Sequence, residues 1–158
     1  MTGSCVSELL AVSYSLVHRN LADIFDAEMH LVPKGTRGHF AWHLGHCITM
    51  EHLQCEAIHP GFMPELPAGL AGAHVTGENT AGTDPSFEKA DYVAELGRQR
   101  EATLKLLNAI GEDQLRADPP SGVMGSPSNI GAALGFIGVH WLVHVGQWVV
   151  MRELMGKQ

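Results

Sequence analysis

The 158-residue chain has the size of one domain, long enough to bury roughly 70% of its unfolded surface in a single core. Its net charge of −7 and the scatter of its ten Lys and Arg exclude the basic footprint that nucleic acid or an anionic membrane surface requires. With 45% hydrophobic and 17% charged residues the chain is expected to fold as one domain over residues 1–158 rather than stay disordered.

Apolar residues recur at Val6, Leu9, Leu10, Leu16, Val17, Leu21, Ile24 and Phe25, the spacing of one helical face, which predicts a first helix from about Ser4 to Leu31. Val32 to Gly38, with Pro33, Gly35 and Gly38, breaks it, and a second helix is expected from near Phe40 to Ile58, stopped by His59-Pro60-Gly61. Residues 60–85 hold Pro60, Pro64, Pro67 and Pro85 without sustained periodicity, a connection far longer than usual between neighbouring helices. Asp84-Pro85 reads as a helix start. Tyr92, Leu96, Thr103, Leu106, Leu107 and Ile110 then form the inward stripe of a third helix, closed by Gly111, with Glu95, Arg98, Arg100, Glu101 and Lys105 on a solvated face. Ser126 as N-cap and Pro127 at the first helical position predict a fourth helix running to about Met155. With no strand alternation, the chain is all-α, four helices in one bundle.

The fourth helix carries no charge from Ile130 to Val150, about the length of a membrane span. His140, His144, Gln147 and several glycines within it, and the amphipathicity of the other segments, favour a helix buried in a soluble bundle, so no membrane is expected. Three cysteines, Cys5, Cys47 and Cys55, without a paired spacing or a signal peptide, point to a reducing, cytoplasmic setting. Cys47 and Cys55 read as small buried hydrophobes.

Ten histidines equal all Lys and Arg together. His140 and His144 project one turn apart from the same stripe of the fourth helix, which also carries Ala133, Phe136, Ile137, Val143, Gln147 and Met151. On the second helix the stripe through His46 holds His39, Trp42, His43, Met50 and Leu53. If the two stripes face each other, His46, His140 and His144 supply three neutral nitrogen donors and leave an open position, the arrangement of a catalytic zinc or nickel site rather than a structural one. The same histidines would alternatively be core polar groups satisfied by hydrogen bonds. His39 and His43 are open to reading as partners behind the ligands, as an alternative ligand, or as polar residues at a frayed helix start, with the last preferred. His18, His30, His52, His59 and His74 read as surface or turn residues. Gln147 could orient a ligand, and Trp42 and Trp148 could wall the pocket or simply pack in the core. Gly131, Gly135, Gly138 and Gly146 would let another helix approach closely. Leu44, Ile48 and Cys55, on the face of the second helix away from His46, raise the expectation of a homodimer.

Phe40-Ala41-Trp42-His43-Leu44-Gly45-His46 resembles the start of the second helix in the DinB/YfiT-like superfamily. His140-Trp141-Leu142-Val143-His144-Val145-Gly146-Gln147, followed by Arg152 and Gly156, resembles its closing motif. The likeness covers essentially the whole chain in element order. The resemblance implies a four-helix bundle with a long crossover loop between helices 2 and 3, often dimeric, holding a divalent metal on His46, His140 and His144. Members of that superfamily include thiol S-transferases that use low-molecular-weight thiols and proteins described as metal-dependent hydrolases. By this resemblance the chain is expected to activate a thiol or water at the metal for attack on a small molecule, thiol transfer being preferred over hydrolysis. A non-catalytic metal-holding or stress-related binding protein is the alternative. His39, His43 and Val145 depart from the superfamily pattern.

Overall fold

The computed structural model describes residues 2–74 and 87–157. Four long helices, α1 (Gly3–Leu21), α2 (Phe40–Ile58), α4 (Lys89–Ala109) and α6 (Ile130–Leu154), are joined by a 3-10 turn at Asp26–Glu28 and two short helices, α3 (Leu70–His74) and α5 (Glu112–Leu115). Among the described residues there is no strand. α1 packs along α6, α2 lies against both α4 and α6, and α1 also touches α4. The longest connection, which contains α3, therefore joins two helices that pack side by side.

In α1 the buried Val6, Leu10, Ser13, Val17 and Leu21 keep the helical spacing. The helix stops at Leu21, ten residues short of the expected Leu31. The reason lies on another element: the Lys89 ammonium donates to the carbonyls of Leu21 and Ile24, at 2.6 and 2.7 Å, and so satisfies acceptors that a further turn would have used. Ile24 and Met29 still reach the core, whereas Phe25 is 69% exposed.

α2 matches its expected bounds and is buried on nearly every side. Leu44, Ile48 and Cys55 are fully buried inside this one chain, so their face gives no ground for a second copy. The start of α4 at Asp84-Pro85 lies outside the described residues, which place Glu88 as N-cap. α6 begins at Ile130, with the Asn129 side chain accepting from the Ala132 amide at 2.8 Å. Ser126 is not the cap, because its φ of +47° departs from the extended conformation of a cap residue. Gly138 is where α1 comes close: a Cβ there would lie 2.7 Å from the Leu9 side chain. By length and apolar composition α6 could cross a membrane, but half of that stretch is buried within the protein.

The solvated face expected on α4 is only partly so. Arg98 and Glu101 are exposed, but Arg100 is 3% and Glu95 7% exposed. Arg100 reaches into the bundle and forms a two-pronged pair with Glu51 of α2, Nε to Oε1 and Nη2 to Oε2, both at 2.9 Å. Thr103 and the Trp141 indole also donate to Glu51, at 2.7 and 2.8 Å, and Arg100 donates to the Leu10 carbonyl and the Ser13 hydroxyl of α1. One fully partnered ion pair thus ties all four long helices together.

A candidate three-histidine metal centre

Facing stripes of α2 and α6 bring His46, His140 and His144 together, with one ring nitrogen from each lying within 4.8 Å of the others. His144 is buried and the other two are half-buried. The donor set fits a divalent metal on two counts. The Nε2 atoms of His140 and His144 are 3.2 Å apart, close to the roughly 3.3 Å edge of a tetrahedron with metal–nitrogen bonds of about 2.0–2.1 Å. Hydrogen bonds on the far sides of two rings also fix which nitrogen carries the proton.

His46 Nδ1 lies 2.9 Å from the His74 carbonyl, which can only accept, so Nδ1 is protonated and the Nε2 lone pair is left for the site. A longer chain sets His144. His43 Nε2 is 3.1 Å from the Arg37 carbonyl and must donate to it, which makes His43 Nδ1 an acceptor. His144 Nδ1, 2.6 Å away, then donates to His43 and leaves its own Nε2 free to bind. Replacing His43 with phenylalanine keeps a ring but removes that acceptor. Metal affinity is expected to fall about 10–100-fold, the usual cost of losing such a partner, as read by competition with a chelating dye.

His43 is therefore neither a frayed end nor a ligand of the triad, but the side chain that orients His144. His39 is likewise buried, and its Nδ1 caps α2 by accepting from the Trp42 amide at 3.1 Å. His74, expected at the surface, is fully buried: its Nδ1 donates to the Leu70 carbonyl at 2.6 Å and its Nε2 lies 3.4 Å from the Tyr92 hydroxyl. This ring passes directly over Gly45, where a Cβ would come within 2.4 Å of it. Gly45→Ala is expected to displace α3 and the carbonyl that holds His46, costing about 1–3 kcal/mol of stability. Urea unfolding, paired with the dye competition, checks both consequences.

The walls are aromatic. Trp42 stacks on His46 with ring centres 4.7 Å apart and planes at 9°, and Phe136 lies parallel to His140 at 6.2 Å. The Trp42 indole nitrogen is buried with no hydrogen-bond partner among the described residues. Trp148, by contrast, is core, packed against Phe40. Gln147 and Val143 are exposed rather than facing inward. Cys47 and Cys55 are fully buried, and burial pushes the Cys55 thiol up to about 12, so neither supplies a nucleophile near neutral pH.

Burial, reinforced by neighbouring histidines, holds His43 and His140 down to about 4 and His144 to about 3, from an ordinary 6.5. Burial lowers His46 as well, so the three rings of the triad are neutral near pH 7, as metal ligation requires. Below 6.5 the unfolded chain takes up protons that the folded chain refuses. The metal-free protein is thus expected to keep full stability above pH 6.5 and to lose it progressively as pH falls toward 4, seen as a lower urea midpoint at pH 5 than at pH 7.5.

A helical bundle with three imidazoles converging between two of its long helices defines the class of protein. The DinB superfamily profile matches residues 10–148, and the chain belongs to that superfamily. The solved structure of a conserved protein from Enterococcus faecalis shares the fold, with a TM-score of 0.69 and 22% identity over 99% of each chain. Among curated proteins none matches.

Proposed function

We propose that the protein is a metal-dependent enzyme in which His46, His140 and His144 hold one divalent ion, zinc or nickel, and leave a position for a small molecule. The observation that carries this reading is the convergence of three neutral imidazoles with no fourth protein ligand in the group among the described residues. A divalent ion held there supplies a Lewis acid that lowers the pKa of a bound thiol or water. The chain's own residues do the rest. The His74 and Arg37 carbonyls, the latter through His43, keep the ligand nitrogens deprotonated toward the site. Trp42 and Phe136 wall it against water on the His46 and His140 sides. Thiol transfer to an electrophile is preferred because thiol S-transferases occur in the superfamily; Gln147 would orient the co-substrate from its exposed position one turn beyond His144.

We take the protein to act in the cytoplasm as one bundle. A second copy would cover the apolar stripe that α6 exposes at Val139, Val143, Val150 and Leu154. The test is consumption of cysteine, as a small model thiol, with 1-chloro-2,4-dinitrobenzene as electrophile, by zinc- or nickel-loaded protein. Turnover that disappears with chelator supports transfer. Metal-dependent ester hydrolysis without thiol consumption would move the assignment to a hydrolase, and metal binding without either would leave a metal-holding protein.

A further inference from the structure

Beside the histidines lies a cavity of about 250 Å³ that contains no metal ligand. It is lined by Gly35, Thr36 and Arg37 from the α1–α2 connection and by Gln147, Val150 and Met151 of α6. Arg37 is its one cation, no carboxylate lines it, and among the described residues none forms an ion pair with Arg37. Arg37 is exposed, so its guanidinium is open to a solute. The cavity also adjoins the candidate metal centre: the Arg37 carbonyl anchors His43, and Gln147 stands three residues after His144 on α6.

From this arrangement we infer that the cavity is a subsite for a carboxylate-bearing arm of the substrate. The Arg37 guanidinium pairs with the carboxylate, the Gln147 amide supplies a further donor, and Val150 and Met151 cover the adjoining methylenes. One cation balances a monoanion, whereas a phosphate dianion would leave a charge uncompensated. The volume falls below the 300–1,000 Å³ or so of pockets that enclose a whole drug-sized ligand, which suits one arm of a molecule whose reacting end sits at the histidines. The inference rests on the proposed metal centre only for what lies at that other end.

The test is a titration with pentanoate, and with its neutral counterpart pentanamide, followed by backbone and side-chain amide NMR on metal-loaded and chelator-treated protein. Pentanoate is expected to shift the Thr36 and Arg37 amides and the Gln147 side-chain amide in both forms, with pentanamide at least tenfold weaker. Arg37→Gln should weaken pentanoate at least tenfold and Arg37→Lys less so; both keep the backbone carbonyl that anchors His43. Equal binding of pentanamide, an unchanged Arg37→Gln, or shifts that vanish when the metal is stripped would overturn the subsite, the last leaving the metal centre intact. Pentanoate binding by a protein that takes up no metal would support the subsite while removing the metalloenzyme reading.

Discussion

Replacing Arg100 with methionine is expected to destabilise the protein by about 3–5 kcal/mol, because it leaves the Glu51 carboxylate buried and charged without its partner. At about 2–4 °C per kcal/mol for a domain of this size, the melting temperature should fall by about 6–20 °C. The pair is costly to break rather than intrinsically strong, since taking both charges out of water offsets much of their attraction. The double variant Glu51→Gln, Arg100→Met should therefore recover part of the loss, with the glutamine carbonyl oxygen able to accept from Trp141 and its amide able to donate to the Thr103 hydroxyl. Urea unfolding of the two single variants and the double variant reads the coupling. A double variant as unstable as the sum of its parents would contradict the account.

Removing a ligand gives the second large effect. His144→Ala leaves two imidazoles and is expected to lose more metal affinity than the about 10–100-fold attached to an outer partner such as His43. The stabilisation that a metal gives to the folded form, about 4 kcal/mol at a thousand times its dissociation constant, should disappear with it. Without metal the variant is expected to be about 1–3 kcal/mol less stable than the native chain, because the buried His43 Nδ1 loses the His144 donor it accepts from. Melting curves with zinc and with chelator separate the two cases: the native chain should shift and the variant should not. An equal zinc shift in both would show that the ion binds elsewhere.

The ligand triad was legible because its chemistry follows helical periodicity. His140 and His144 share a stripe by their spacing of four, and His46 lies on the apolar α2, whose bounds the flanking Pro33 and Pro60 mark out. What supports the triad was not legible, because it runs through partners distant in sequence. The His74 and Arg37 carbonyls are backbone acceptors that no side-chain pattern encodes, and the His43–His144 contact spans 101 positions. The end of α1 depends on Lys89, 68 residues from Leu21. Arg100 was misplaced because it stands among Glu95, Arg98, Glu101 and Lys105, a grouping that resembles a solvated face. A usable signal did exist in Glu51, a carboxylate on the same helical stripe as Leu44, Ile48 and Cys55, where it required a buried cation.

The central claim is that His46, His140 and His144 form one metal centre, and X-ray absorption at the edge of the metal bound to stoichiometrically loaded protein tests it most directly. The predicted result is one ion per chain with three imidazole nitrogens at about 2.0–2.1 Å and solvent or thiol completing the sphere. Failure to take up a stoichiometric ion, or a sphere of oxygen ligands without imidazole scattering, would contradict it.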